Sequence, residues 1–291
     1  MENENPYLRY VKKMAQTFRD GQSLPLGEIK KNKAVKINKS APKVLILAPH
    51  PDDECVMGAL PLRLLREAGS EVITLPITLG SNPARKVERE KELALACEWI
   101  GFKLQSIKEG GLERITPESR EMDPCHWERA VIALRDSLDQ IKPDMLFLPN
   151  ATDWNRTHLG VHLLTKDALI QLDSFSTTLV ETEFWGQTQD PNLMVESSMQ
   201  EVADLVAALS HHRGEVERNP FHLRLPAWMQ DNVRRGAEVV GGQGGDAPDF
   251  DFATLYKLSR WDQSKQYLLW NKGKVLFHKE KGESKIVEQL S

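Results

Sequence analysis

Unbroken apolar runs alternate along the chain with segments of helical period, and their order predicts the architecture. Val44-Leu45-Ile46-Leu47-Ala48 is apolar at five consecutive positions, the pattern of a strand covered on both faces as in a parallel sheet. Periodicity alone leaves a short buried helix open. Pro49 and Pro51 lack N–H groups and fix φ, so the chain must leave the sheet there. Met57 to Ala68 then places Met57, Ala59, Leu60, Leu62, Leu64, Leu65 and Ala68 on a helical pattern, with Gly69 as its C′ residue. Val72 to Thr78 is rich in β-branched residues and reads as the next strand, broken by Leu79-Gly80-Ser81-Asn82-Pro83. A strand-helix-strand order implies a parallel pair with a right-handed crossover.

The same alternation continues. Arg85 to Ile100 predicts a charged helix with Leu93, Ala96, Cys97 and Ile100 inward and a stop at Gly101. Trp127 to Ile141 predicts another, and Lys142-Pro143-Asp144 turns the chain into a second short buried strand, Met145-Leu146-Phe147-Leu148-Pro149. Leu179 to Glu183 reads as a strand, and Met199 to His211 and Ala227 to Val240 as helices. Ahead of the first core strand, Tyr7, Leu8, Val11, Met14, Ala15 and Phe18 have the spacing of an amphipathic helix. Gly21 to Pro42, rich in Lys, Gly, Ser and Pro, reads as an extended connection. Gly241-Gly242-Gln243-Gly244-Gly245 follows no strand and reads as a mobile surface loop, not a phosphate cradle. Trp261 and Trp270 belong to a closing segment, as core or edge residues. There is no internal repeat.

Composition narrows the class. At 291 residues and net charge −4 the chain can bury one large α/β domain or two small ones, and it has no general pull toward nucleic acid. The basic patch Lys30-Lys31-Asn32-Lys33 reads as solvated linker. No stretch approaches the roughly 20 apolar residues of a membrane span, and the polar, acidic start shows no secretory signal, so the expected location is cytoplasmic. Cys55, Cys97 and Cys125 have neither the number nor the spacing of a disulfide framework or thiolate zinc site. Cys55 reads as a small buried residue at a helix start.

The chemistry gathers at two strand ends. His50-Pro51-Asp52-Asp53-Glu54 follows the first buried strand, and Asp153-Trp154-Asn155-Arg156-Thr157-His158-Leu159-Gly160-Val161-His162 follows the second. Open α/β sheets place their sites at such carboxyl ends, and two of them face one cavity. Two imidazoles and a carboxylate form a set zinc accepts with a fourth position for water, and a second carboxylate beside them can serve as general base. His50 and one of Asp52-Asp53 would supply two ligands, and His158 or His162 the third. The competing reading is a hydrogen-bonded histidine with an Asp pair capping a helix.

His50-Pro51-Asp52-Asp53-Glu54 after a buried strand resembles the signature of the LmbE-like (PIG-L) zinc-dependent deacetylases, which include N-acetylglucosaminyl-phosphatidylinositol, mycothiol-pathway and bacillithiol-pathway de-N-acetylases. Further similarity runs from about Val44 to Tyr256, through Arg89, Glu92 and Ile100-Gly101, Lys142-Pro143-Asp144, and Ala208-Leu209-Ser210-His211-His212. The resemblance implies a Rossmann-like three-layer α/β sandwich with a mostly parallel central sheet and terminal additions. Residues 1–42 would be a helix and linker, 43–291 the deacetylase domain, with an accessory extension from about 262. It implies Zn2+ held by His50, Asp53 and His158, with Asp52 as the base toward the metal-bound water. His162 would then support the site or the fold.

The family pattern has a His where this chain has Asn155, and an Asp where it has Thr157. Asn155 can still donate a hydrogen bond to an oxyanion but cannot deliver a proton. Protonation of the leaving amine then falls to Asp52 or to a group such as His212. Arg89 corresponds to a sugar-contacting position, its alternative being a surface ion pair with Glu88 or Glu92; Trp154 would stack on a sugar face or pack at the loop root. The implied reaction is removal of an N-acetyl group from an amino sugar or N-acetylglucosamine-containing conjugate. The alternatives are an impaired sugar- or nucleotide-binding module, and a zinc amidase acting on a non-sugar or thiol conjugate. The implied partner is the small amino-sugar substrate, with no nucleic acid and no transmembrane segment; added ends that could cover a neighbour leave room for a homo-oligomer.

Overall fold

A computed structural model describes residues 5–30, 34–184, 186–278 and 286–290; most of the basic patch at 30–33 lies outside them. In chain order the main elements are α1 (Leu8–Gly21), β1 (Val44–Ala48), α2 (Asp53–Val56), α3 (Leu60–Arg63) with a π turn over Leu64–Ala68, β2 (Val72–Pro76), α4 (Lys86–Ile100), β3 (Lys103–Leu104), α5 (Pro117–Met122), α6 (Pro124–Ile141), β4 (Met145–Pro149), α7 (Arg156–Ile170), β5 (Ser176–Thr182), β6 (Leu193–Ser197), α8 (Met199–Leu209), α9 (Arg213–Arg218), α10 (Leu225–Val239), β7 (Phe252–Asp262), β8 (Lys265–Leu268), β9 (Lys274–Leu276) and α11 (Ile286–Leu290).

Among the described residues nine strands form one sheet in the order β3-β2-β1-β4-β5-β7-β6-β9, with β8 on β7. The first five are parallel, and β7 runs antiparallel to β5, β6 and β8. All five residues of β1 and of β4 are buried; each strand is apolar on both faces because helices cover both. One core layer packs α2, α3, α4 and α8 against one face through Leu60, Leu93, Cys97 and Leu205. The other packs α6 and α7 through Leu134, Leu138, Val161 and Leu164. This is a mixed α/β fold with a mostly parallel central sheet, as the apolar runs predict.

Two differences from the sequence reading have local causes. The helix expected over Met57–Ala68 is interrupted at Gly58, whose φ is +89°, and a Cβ there would lie 2.3 Å from Thr254. The break is held by Tyr256, whose hydroxyl donates to the Met57 carbonyl (2.5 Å) and accepts from Leu60 N–H (3.3 Å). The second difference is the β6–β7 pair, which the sequence left irregular. Gly69 (φ +73°) does end its helix as expected. Trp261 is buried in β7, and Trp270 packs partly buried on the core. Residues 241–245 are exposed and follow α10, not a strand.

The sheet order reverses between β1 and β4: the chain goes from β1 outward to β2 and β3, then returns to β4 and continues to β5. The crevice outside the carboxyl ends of two such strands is the standard ligand site of open α/β sheets.

Candidate metal centre

Loop 49–52, after β1, is pinned by one carbonyl. Pro49 O accepts from Thr78 Oγ1 (2.7 Å) and Thr78 N (3.2 Å). His162 is a buried residue whose Nδ1 lies 2.9 Å from Pro149 O, so it ties α7 to the end of β4, and it lies outside the donor cluster. Asp52 stands at the N-cap position of α2 without a side-chain capping bond, at φ +111°, a conformation that costs a non-glycine residue on the order of 1–3 kcal/mol. The loop after β4 is held by Asn150, whose amide donates to Thr182 O (3.0 Å) and Gly186 O (3.1 Å). Asn155 caps α7: its Oδ1 accepts from Thr157 N–H at 2.9 Å.

These two loops bring His50, Asp53 and His158 together. His50 Nδ1 lies 3.3 Å from Asp53 Oδ2, His158 Nε2 lies 3.3 Å from the same oxygen, and the two ring nitrogens are 3.3 Å apart. An equilateral triangle of that edge is what three ligand bonds of about 2.0–2.1 Å to one tetrahedral ion require. Two neutral imidazoles and a carboxylate suit zinc with an open fourth position, so this donor set fits the ion. The supporting contacts have the same logic. His158 Nδ1 meets Asp153 Oδ2 at 3.0 Å, the carboxylate–histidine arrangement that fixes tautomer and ring orientation. The buried Phe184 ring packs edge-on against His158 at 4.8 Å. The other Asp53 contact is the His50 N–H, 2.9 Å from Oδ2.

Burial opposes charge on Asp53, but His158 and then His50 outweigh it and hold the carboxyl below the usual range. Burial likewise disfavours charge on His158, and the Asp53 and Asp153 carboxylates overcome it, bringing that imidazole up to about 10. A proton and a metal ion therefore compete for the same Nε2 lone pair.

Asp52 stands beside the triangle without joining it. Burial, then the Asp53 carboxylate, push its pKa up, opposed by His212 and Arg89. Its backbone N–H donates to Glu54 Oε2 at 2.9 Å, and the other Glu54 oxygen lies 2.7 Å from His212 Nε2. Glu54 is fully buried. It therefore braces Asp52 from below while sitting in the first turn of α2. The adjacent Cys55 thiol is buried and pushed up, first by burial and then by Glu54, which leaves it a packing residue.

Arg89 forms no ion pair with Glu88 or Glu92; Arg85 takes both. The Arg89 guanidinium donates to Pro51 O (2.8 Å) and lies 3.6 Å from Asp52 and 3.9 Å from Glu215. Gly80 permits this, because a Cβ there would be 2.3 Å from Arg89 Nη1. Trp154 is 69% exposed, which removes the packing alternative. The cleft, about 230 Å³, is lined by His50, Asp52, Asp53, Arg89, Asp153, Trp154, Asn155, His158 and Glu215. A neighbouring groove of about 390 Å³ shares His50 and Arg89 and extends to Thr78, Arg114 and Thr157. His50, Asp52, Asp53, Arg89, Trp154, Asn155 and His158 thus line one cleft, while His162 and His212 lie behind it. The sequence reading missed Asp153, Asn150 and Glu215. Asp153 carried a signal, a carboxylate five residues before a candidate ligand at a helix start; the other two act through tertiary contacts.

Residues 45–169 match the family model described as PIG-L: GlcNAc-PI de-N-acetylase. No curated protein matches the chain. Among solved structures, the chain is similar to the N,N'-diacetylchitobiose deacetylase from Pyrococcus horikoshii (18% identity, 89% of this chain and 94% of that one, TM-score 0.52). It is similar to a teicoplanin deacetylase solved in a zinc-inhibited form (13%, 76% and 99%, 0.53). It is also similar to a 4-carboxy-2-hydroxymuconate hydratase, GalB, from Pseudomonas putida (14%, 75% and 95%, 0.54). At these identities the likeness establishes the fold, which serves more than one reaction.

Proposed function

We propose, from the match of residues 45–169 to the PIG-L: GlcNAc-PI de-N-acetylase model and from the geometry of the cleft, that this protein is a metal-dependent amide hydrolase that removes an N-acetyl group from an amino sugar or its conjugate. The observation that carries the reading is the 3.3 Å triangle of His50, Asp53 and His158 donors with the Asp52 carboxylate next to it in the same cleft. A zinc ion held there would supply Lewis acidity toward a carbonyl and an acidified water. Asp52 is the general base: it accepts a proton from the water whose oxygen bonds to the acetyl carbon, and returns it to the nitrogen as the C–N bond breaks. Acetate and a free amine result. Asn155, with Oδ1 engaged by the helix, has its amide N–H2 to offer the carbonyl oxygen as it gains charge. Arg89 and Trp154 are the substrate-facing fork and aromatic face of the cleft.

Asp52→Asn tests this. Assayed on a panel of N-acetylglucosamine derivatives, the variant should retain its metal and lose about 10²–10⁴-fold in kcat. Equal turnover by both proteins removes Asp52 from the mechanism. Metal binding with no acetate release from any amino-sugar derivative favours a binding module, and release from non-sugar amides alone favours an amidase of other specificity.

A further inference from the structure

Helix α1 has features that the cleft does not use. It is fourteen residues long and none is buried. Among the described residues its C-terminal end meets the body, where the Arg224 guanidinium sits 3.5 Å over the Phe18 ring and Gly21 abuts Leu223. At about 100° per residue, Tyr7, Leu8, Tyr10, Val11, Met14, Ala15 and Phe18 share one continuous half of the helix. Arg9, Lys12, Lys13, Gln16, Thr17, Arg19 and Asp20 share the other. Tyr7 is 73% exposed, Tyr10 63%, Val11 56% and Met14 49%. Helices of this length are marginal in water unless an apolar face is covered.

Charge identifies what covers it. Residues 5–42 contain nine Lys and Arg against two Asp and Glu, in a chain whose net charge is −4. We propose that α1 is an in-plane anchor that lays its apolar half into the headgroup boundary of an anionic lipid surface. The basic half flanks the apolar one, with Arg19 on one border and Lys13 on the other, where long side chains reach up to phosphates. Tyr7 and Tyr10 add the ring-and-hydroxyl character favoured at that depth. A second copy fits less well: the flanks would bring like charges together, and one helix face is small against the roughly 1,200 Å² that a stable interface buries. Nucleic acid would leave the apolar half exposed. Among the described residues no helix is long and apolar enough to cross a membrane, so the association is peripheral. It is independent of the reaction assigned to the cleft.

The test is flotation of the full chain with phosphatidylcholine vesicles with and without phosphatidylglycerol. Wild type should float with the anionic vesicles and stay behind with the neutral ones. Val11→Asp with Met14→Asp should lower the partition coefficient by about tenfold or more, and Arg9→Gln and Lys13→Gln by about fivefold per charge removed. Circular dichroism and metal content report whether the variants fold. Proteolysis of wild type gives a second readout, since anionic vesicles should protect the Arg9 and Lys13 bonds. Wild type that neither floats nor gains protection overturns the proposal. So does a Val11/Met14 variant that floats like wild type, which would reduce the effect to bulk charge, and so does a dimer dissolved by Val11→Asp.

Discussion

The two sides of the cleft are built differently. On the side proposed to hold the metal, His50 and Asp53 are three residues apart, and His158 is oriented by Asp153 five residues before it. On the side proposed to hold the base, Asp52 faces Arg89 from α4 and rests on Glu54, whose partner His212 lies 158 residues further along the chain. The metal side is thus assembled by two loops at adjacent strand ends, while the base side exists only when α4 and the segment after α8 have docked. Donor geometry should therefore tolerate remote damage better than base geometry does.

Direct removal of a donor gives the largest effect. His158→Ala leaves two of three protein donors, so metal content should fall to background and kcat/KM by about 10³-fold or more, the several kcal/mol that a Lewis acid supplies. Zinc added to metal-free wild type should raise Tm by mass action; the variant should show no rise. A variant that still binds stoichiometric metal would mean that the third donor lies elsewhere.

On the base side, His212→Ala leaves Glu54 buried without its partner. Stability should fall by about 3–5 kcal/mol, the range for breaking one half of a buried pair, read from the urea midpoint. Metal affinity of the folded fraction should change little, because no ligand or ligand support is touched. A loss under about 1 kcal/mol, or a parallel loss of metal, would collapse the distinction between the two sides.

Asn155 separates two jobs in one residue. Asn155→Asp keeps an oxygen for the Thr157 N–H and places a charge favoured at a helix start, but it removes the N–H2 donor. Stability should hold within about 0.5 kcal/mol while kcat falls about 10²–10³-fold, the effect of losing one oxyanion donor. Undiminished kcat would sink the donor role and leave Asn155 as a helix cap alone.

The same division explains what could be read from residues alone. β1 announces itself as a five-residue apolar run and β4 as a four-residue one, each ended by proline, and His50, Asp53 and His158 follow them within about ten positions. Sequence order therefore carries both the sheet and the cluster of candidate donors. Long-range contacts are less legible. Gly58 breaks an otherwise helical pattern because Thr254 presses on it, nearly two hundred residues away. β6 and β7 pair antiparallel on the far side of β5, and their residues lack the uniform apolar run of a central parallel strand. Arg89 could be placed near the site by resemblance, but its hydrogen bond to Pro51 O depends on the bare backbone at Gly80. Glu54 sits in a helix N-terminal turn by sequence, yet its two oxygens are claimed by Asp52 N–H and His212.

Asp153 marks the boundary between the two kinds of support and yields the smallest and most diagnostic change. It touches the metal side only through His158 Nδ1, at 3.0 Å, while its other oxygen accepts from Asn155 N–H at 2.9 Å. Asp153→Asn keeps the size and a hydrogen-bonding oxygen but removes the charge that fixes the His158 tautomer. Metal affinity should weaken about 10–100-fold, measured by competition with a chelator, and saturating metal should restore most of the turnover because Asp52 and Arg89 are unmoved. Turnover that stays low at full metal occupancy would show that Asp153 also sets the Asn155 loop for the substrate. The two loops would then act as one catalytic unit, and the contrast between a local metal side and a remote base side would have to be redrawn around that loop.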